Sequence, residues 1–185
     1  MDYGRPIQFG YFVPPDSMRP MRPLELAVRA EALGINLIGA QDHPYQRRFY
    51  DVWTLLTAIA MRTKRVSVFI WLGAYKPRML RLVGKAADGW VPSFEYMKQE
   101  AMPEANARID DAAREAGRDP AVIRRVLNIA ANLTADEIAE LALKHGFDTF
   151  VIGATQEDVE AELREFVENV APKVRELVPG GRESS

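Results

Sequence analysis

Apolar residues recur along the chain in two alternating patterns. Six short runs rich in β-branched and aromatic residues predict strands, because each is too brief for a helix and is bounded by turn residues. The predicted strands cover residues 7–13, 35–40, 66–74, 89–92, 125–129 and 147–153. Between these runs apolar residues return every three or four positions, as on the buried face of a helix. The predicted helices cover residues 24–33, 51–62, 78–87, 96–116, 135–144 and 158–177.

The order of these elements predicts the fold class. Strands and helices alternate throughout, and no hairpin signal joins two strands, which indicates βαβ units and a mainly parallel sheet. No linker or low-complexity stretch divides the chain, so we predict one α/β domain over residues 1–185. Several helix ends carry recognisable caps. Asp51 is an expected N-cap, Thr134 with Glu137 forms a capping-box pattern, and Thr155 with Asp158 precedes the last helix.

Composition and charge narrow the classes of function. The formal net charge of −2 leaves no large basic field to bind nucleic acid. The absence of cysteine excludes disulfides, thiolate nucleophiles and cysteine-bound metals, and only two histidines argue against a zinc site. The longest strongly apolar stretch, residues 66–74, is about half of the roughly 20 residues that a membrane span needs. We therefore expect a cytoplasmic protein that binds a small molecule rather than a membrane.

A polar pair follows the second predicted strand directly. Asp42 and His43 stand at its carboxyl end, which faces the active site in parallel α/β folds. Histidine exchanges a proton near neutral pH, so this pair is the candidate catalytic group. The alternative is a solvated loop pair. The second histidine, His145, ends a helix, where a cation would complement the helix dipole and have a structural role.

The turn after the third predicted strand is a candidate phosphate site. Gly73 and Ala74 allow a ligand to approach the backbone, and Pro77 suits the first turn of a helix whose N–H groups are free. Lys76 and Arg78 add positive charge beside that helix end. The alternative is an ordinary strand-to-helix turn with two solvated cations.

Three segments of the chain resemble the luciferase-like monooxygenase superfamily of flavin- and F420-dependent oxidoreductases, particularly its F420-dependent branch. Residues 7–63 contain Phe9-Gly10-Tyr11-Phe12 and, later, Ile38-Gly39-Ala40-Gln41-Asp42-His43. Residues 71–93 contain WLGAYKPRML and ADGWVPS, and residues 146–153 read GFDTFVIG. The second segment is the most specific, because it joins a strand, an anion-friendly turn, a helix and another strand in family order.

This resemblance implies a TIM-barrel-derived (β/α) fold with FMN or coenzyme F420 as cofactor, and hydride-transfer or monooxygenase chemistry on a small substrate. It implies catalytic roles for His43 and Asp42. It implies cofactor-binding roles for Gly73, Ala74, Lys76, Arg78, Ser93 and Phe9. Ser93 is a polar residue at the carboxyl end of a strand, where a site would use one, whereas core packing explains Phe9 and Trp71 at least as well.

The chain departs from the family pattern in its middle. Such barrels typically have about 250 residues, with a floor near 200, and this chain has 185. Two strand signals of the family are fused in residues 65–74 without a helix between them. Ten residues rising ~3.3 Å each would form one strand of about 33 Å. We therefore predict a fold truncated to about six βα units, that is, a partial or small barrel.

Truncation leaves the closure of the sheet and the activity open. The sheet could form a smaller closed barrel, stay open, or close across a homodimer interface. The homodimer is favoured here because an unclosed barrel exposes apolar strand surface and unpaired edges. The chain is then either an oxidoreductase or, alternatively, a non-catalytic cofactor-binding or minimal-barrel scaffold acting as a dimer.

Overall fold

The computed structural model describes residues 3–153 and 158–179. Six parallel strands form one curled sheet in the order β3-β2-β1-β6-β5-β4. The strands are β1 Gln8–Val13, β2 Leu37–Ala40, β3 Ser67–Phe69, β4 Gly89–Trp90, β5 Arg124–Ala130 and β6 Thr149–Gly153. The α-helices are α1 Arg22–Ala32, α2 Val52–Arg62, α3 Pro77–Ala86, α4 Met102–Glu115, α5 Ala135–His145, α6 Val159–Glu165 and α7 Ala171–Leu177. The predicted truncated α/β barrel with six strands is confirmed.

Local sequence signals set several of the helix ends. The Asp51 carboxylate accepts a hydrogen bond from the Thr54 N–H at 2.9 Å, and Thr134 and Glu137 form the predicted capping box. Asp158 caps α6 by accepting from the Ala161 N–H. The proposed cap at Thr155 lies outside the described residues. Gly146 ends α5 at φ 74°, a left-handed conformation that few other residues adopt without strain.

Two predicted helices are interrupted. The helix expected over residues 96–116 begins as a 3-10 turn, Gln99–Ala101, and becomes α-helical at Met102, with Pro103 in its first turn. The long last helix changes to a π-helical segment, Phe166–Val170, just before Pro172. Proline has no N–H to donate to the α-helical ladder, which accounts for the break at this position.

The single long strand predicted over residues 65–74 is wrong. Only Ser67–Phe69 pairs with β2. Three residues later Leu72 pairs with β4, where its N–H donates to the Gly89 carbonyl at 3.3 Å and its carbonyl accepts from the Val91 N–H at 3.0 Å. Because no helix separates the two strand signals, residues 67–72 pair with β2 on one side of the curled sheet and with β4 on the other. This pairing removes the reason for which a homodimer was favoured, and the homodimer itself stays a prediction.

The sheet has two differently packed faces, because successive side chains of a strand point to opposite sides. The outer face packs against the helices and forms the large core, which includes Phe9, Tyr11 and Trp90. The inner face encloses a smaller apolar cluster built on Leu37, Phe69, Val126 and Val151, with Phe12, Trp71 and Val91 against it. We call this inner cluster the lumen core.

Two aromatic rings fill the centre of the lumen core. Phe69 and Trp71 stack with centroids 4.0 Å apart and an interplanar angle of 22°. Gly89 faces the Trp71 ring so closely that a Cβ atom there would lie 2.6 Å from the Trp71 Cδ1 atom, and Gly39 faces the Phe69 ring in the same way. The two glycines therefore provide the space that the rings occupy.

Among residues 3–153 and 158–179, no helix is long and apolar enough to cross a membrane.

Candidate functional site

A cavity of about 310 Å³ opens at the carboxyl ends of β1, β2, β5 and β6. Its polar lining comes from Asp16, Gln41, Arg48 and Asn128, and Phe12 is among its apolar residues. This volume lies at the small end of the range for ligand pockets, and the carboxyl edge is where parallel α/β folds place their sites. The cavity is therefore the candidate ligand site.

One wall of the cavity is made by two loops that hydrogen-bond to each other. The Tyr50 N–H donates to the Pro15 carbonyl at 2.8 Å. The N–H and the hydroxyl of Ser17 both donate to the Arg48 carbonyl, each at 2.8 Å. Residues 14–21, after β1, and residues 41–50, after β2, thus form one connected surface beside the cavity.

His43 and Asp42 lie in the second of these loops. The His43 ring is half-buried, its Nδ1 is 3.0 Å from the Tyr45 hydroxyl, and it stacks on Phe49 with centroids 6.1 Å apart. Phe49 lines the cavity and His43 does not, so His43 contacts the cavity lining only through the Phe49 ring. Asp42 is exposed. The catalytic roles of both residues stay predictions.

The turn that begins at Gly73 is held firmly on its inner side. The indole N–H of buried Trp90 donates to the Ala74 carbonyl at 2.9 Å. The next side chain, Tyr75, accepts a hydrogen bond at its hydroxyl from the Ser93 N–H at 2.8 Å. These contacts fix the turn against the carboxyl end of β4.

The outer side of the same turn is open. A Cβ atom at Gly73 would meet only the Val91 carbonyl oxygen, at 3.6 Å, and the helix α3 begins without a side-chain cap. Lys76 and Arg78 are exposed, and neither forms an ion pair with any residue that the structure describes. Free N–H groups and two unpaired cations fit a phosphate group.

Ser93 connects this turn to the cavity. Ser93 pairs with Asn128 as a parallel bridge, and the Asn128 Nδ2 donates to the Ser93 hydroxyl oxygen at 3.2 Å. Asn128 lies at an inward position of β5 and lines the cavity. The structure therefore brings the Gly73 turn, Ser93 and Asn128 together at one edge of the sheet.

Asn128 and Arg48 were not among the residues predicted from the sequence. Asn128 is a polar residue within an otherwise apolar predicted strand, which was a usable signal. Arg48 gave no comparable signal, because charged residues are ordinary in an exposed loop.

Phe9 lies away from this edge, on the helix side of the sheet. It is 4% exposed, its ring meets Phe166 edge-on at 5.3 Å, and the Arg175 guanidinium stands 5.0 Å from its centroid. The placement supports core packing, the alternative that the sequence also allowed, and gives no support to a contact with a cofactor.

The opposite, amino-terminal end of the sheet carries a buried polar network. Arg125 is fully buried and donates to the Asp110 carboxylate, the Asn106 amide oxygen and the Ile123 carbonyl. The hydroxyl of Tyr3 donates to Asp110 at 3.1 Å, and burial is the main cause that raises the pKa of Tyr3 to about 12. The bonds to Asp110 and Asn106 hold α4 to β5.

His145 lies near this network and differs from its predicted state. It is 3% exposed, and both ring nitrogens are buried without a hydrogen-bond partner among the described residues. Burial, followed by repulsion from Lys144, lowers the pKa of His145 below its usual range. The neutral ring is therefore favoured, in contrast to the cation expected at a helix end.

Within the described ranges, no group of three or more histidine, aspartate or glutamate side chains could hold a metal ion.

Comparisons with known proteins concern the family and the fold. The family model described as luciferase-like monooxygenase matches residues 67–184. A phthiodiolone/phenolphthiodiolone dimycocerosates ketoreductase of Mycobacterium sp. (strain JLS) is 34% identical over 73 residues, which are 38% of this chain and 19% of the relative. The ketoreductase of the same name from Mycobacterium kansasii is 43% identical over 51 residues, or 28% and 14% of the two chains. The matched stretch is thus at most about a fifth of these relatives.

Two solved structures share the fold. An F420-dependent secondary alcohol dehydrogenase, in complex with an F420-acetone adduct, superposes with a TM-score of 0.71 at 13% identity, covering 91% of this chain and 99% of that one. The coenzyme F420-dependent tetrahydromethanopterin reductase of Methanopyrus kandleri gives a TM-score of 0.67 at 12% identity, covering 90% and 99%. At these identities the likeness concerns the fold alone.

Proposed function

Because the chain belongs to the luciferase-like monooxygenase family, we propose that it binds coenzyme F420 at the carboxyl edge of its sheet and serves hydride transfer with a small organic substrate. The observation that carries this proposal is the contact of the Gly73 turn with Ser93 and Asn128 beside the cavity. F420 is placed before FMN because both solved structures named above are of F420-dependent enzymes.

The phosphate of the cofactor would bind at the Gly73 turn. The open backbone at Gly73, the uncapped start of α3 and the unpaired charges of Lys76 and Arg78 supply hydrogen-bond donors and positive potential. Ser93 and Asn128 would contact the part of the cofactor that enters the cavity, since each carries a polar side chain at this edge. FMN also carries a phosphate, so the same residues would hold it.

When bound, the cofactor would supply the hydride-transfer chemistry, and the protein would orient the reactants and exclude water. A substrate carbonyl that is reduced in the cavity needs one proton at its oxygen. His43 is the candidate donor, and Phe49 separates its ring from the cavity. We infer that proton delivery requires either a bridging water or a small movement of residues 41–50.

A spectroscopic titration tests cofactor binding. The protein is titrated into a solution of F420 and, separately, of FMN. We expect a saturable change in the visible absorption of the cofactor. Replacing both Lys76 and Arg78 by glutamine should weaken binding by at least about tenfold, the effect of losing about 1.4 kcal/mol of charge-assisted hydrogen bonding. Lys173→Gln, at an exposed position of α7, is the matched control and should leave binding unchanged. The proposal would be contradicted if the protein changed neither the F420 spectrum nor the FMN spectrum.

The second candidate function is a non-catalytic cofactor-binding or scaffold protein. Two observations favour it: the Phe69–Trp71 stack fills the lumen core, and His43 does not line the cavity. Turnover separates the two functions. An enzyme would oxidise reduced F420 in the presence of a carbonyl compound, and a scaffold would bind the cofactor without turnover. Undiminished turnover in His43→Ala would clear His43 of a catalytic role.

A further inference from the structure

Many surface cations of this protein form ion pairs, and several do not form one with any residue that the structure describes. Most of those on the helices and their nearby turns form ion pairs: Arg29, Arg81, Lys85, Arg108, Arg114, Arg118, Lys144 and Arg164. Among the cations that do not, such as Arg62 and the two cations of the Gly73 turn, four arginines lie on or next to the two loops of the cavity wall: Arg19, Arg22, Arg47 and Arg48. None of the four forms an ion pair or a side-chain hydrogen bond with any residue in the described ranges. We call these four residues the arginine face.

Three members of the arginine face lie on the two hydrogen-bonded loops of the cavity wall, and Arg22 is the first residue of α1. The Ser17–Arg48 hydrogen bonds described above hold residues 14–21 and 41–50 together, and the Tyr50 hydroxyl adds a further bond by donating to the Pro20 carbonyl at 3.1 Å. Arg48 lines the cavity itself. Arg19 and Arg22 line a neighbouring recess, and the hydrogen bonds between the two loops hold that recess beside the cavity.

The local charge of this surface is positive although the chain as a whole is negative. Residues 14–22 and 41–50 contain four arginines and two aspartates, Asp16 and Asp42, which gives +2 in a chain of net charge −2. Asp16, whose carboxylate accepts the Met18 N–H at 3.0 Å, lines one recess with Arg19 and Arg22 and the cavity with Arg48. Its charge is included in the local value of +2.

A surface with an excess of positive charge attracts anions, so these arginines would stabilise an anion at the cavity mouth. The arginine side chain offers a planar set of donors that matches the geometry of carboxylate and phosphate groups. The Gly73 turn provides a separate place for the phosphate of the cofactor. We propose that the arginine face binds the acid group, a carboxylate or a phosphate, of a ligand other than the cofactor. That ligand is the substrate if the proposed function holds, so the substrate class is an organic acid or a phosphate ester.

Inorganic phosphate is a suitable probe of this surface. The full chain, labelled with ¹⁵N and free of cofactor, is titrated with phosphate at constant ionic strength, with chloride as the competing anion. We expect saturable amide shifts concentrated in residues 14–22 and 41–50. The double variant Arg47→Gln/Arg48→Gln should raise the dissociation constant by about tenfold, as expected for the loss of charge-assisted hydrogen bonds.

The control is Arg62→Gln, which removes an exposed and unpaired arginine at the end of α2. It should leave the dissociation constant unchanged. Unaltered amide shifts elsewhere in the spectrum establish that each variant is folded. The proposal would be overturned if the double variant and the control weakened phosphate binding equally, or if the amide shifts never saturated. Either result indicates general screening by the anion.

A second titration identifies the source of the acid group. The experiment is repeated with the protein saturated with F420 or FMN. Phosphate that still binds to residues 14–22 and 41–50 supports a site for the substrate. Displacement of phosphate from these loops by the cofactor assigns the arginines to the cofactor and overturns the substrate class. If neither cofactor binds while phosphate does, the proposed function fails and the anion site is supported.

Discussion

The two ends of the curled sheet use arginine in opposite ways. At the amino-terminal end Arg125 is fully buried, and its guanidinium donates to a carboxylate, an amide and a carbonyl. At the carboxyl end Arg48 is exposed and has no such partner among the described residues. The same side chain is therefore paired within the protein at one end of the strands and, within the described residues, unpaired at the other.

This difference separates the part of the molecule that supports the fold from the part that meets a ligand. A buried charge must be paired within the protein, because an uncompensated one costs several kcal/mol. An unpaired charge at a solvent-facing cavity costs little folding free energy, because water solvates it, and it can still bind a ligand of opposite charge. The stacked Phe69 and Trp71 rings lie between the two ends and keep the lumen core apolar. Changes at the amino-terminal end should thus alter stability, and changes at the carboxyl end should alter binding.

The largest effect on stability is expected from Asp110→Ala. This substitution leaves Arg125 buried without its carboxylate, and we expect a loss of about 3–5 kcal/mol in the free energy of unfolding, measured by urea denaturation. Asp111→Ala is the matched control, because Asp111 is the adjacent, exposed partner of Arg114 and should cost less than about 0.5 kcal/mol. Arg48→Gln should also stay within about 0.5 kcal/mol. Equal losses for the two aspartate variants would break the contrast between the two ends.

A smaller effect is expected in the layer between the ends. Gly89→Ala would place its Cβ 2.6 Å from the Trp71 ring, and we expect overpacking to lower the free energy of unfolding by about 1–3 kcal/mol. Gly73→Ala is the control, since its Cβ would approach the Val91 carbonyl oxygen at only 3.6 Å. A second substitution, Trp71→Leu, should recover part of the loss in Gly89→Ala. No loss in Gly89→Ala would show that the rings do not fill the lumen core in solution.

The smallest effect concerns pH and the amino-terminal end. Burial lowers the pKa of His145 below its usual value of 6.5, so the unfolded chain binds this proton more readily than the folded protein. The stability that neutral His145 provides is present above pH 6.5 and is lost as the pH falls through its lower folded pKa. The urea concentration at the midpoint of unfolding should therefore decrease when the pH is lowered from about 7.5 to about 5.5. His145→Leu should flatten this dependence, and His43→Gln should not. An identical pH dependence in the wild type and His145→Leu would contradict the assignment.

Most of the fold was predictable because its signals are local. Each strand is a short apolar run, each helix has a periodic apolar face, and caps such as Asp51 and Thr134 act within one turn of the backbone. The alternation of these elements indicates a parallel sheet without any knowledge of distant contacts.

The candidate site was predictable only in part. The Gly73 turn and Ser93 stand at the ends of strand signals, and the structure places them together. Asn128 could have been suspected from its polarity. The grouping of the arginine face could not be predicted, since it depends on hydrogen bonds between two loops about thirty residues apart in sequence.

The amino-acid sequence by itself determined the element order, the number of strands and the family, because these follow from periodicity, turn residues and short motifs. The tertiary structure decided which arginines are paired, which aromatic face turns inward, and how residues 67–72 pair with both edges of the sheet. The reason is physical: register and burial arise from contacts between segments distant in sequence, and local patterns carry no record of which partner each segment meets.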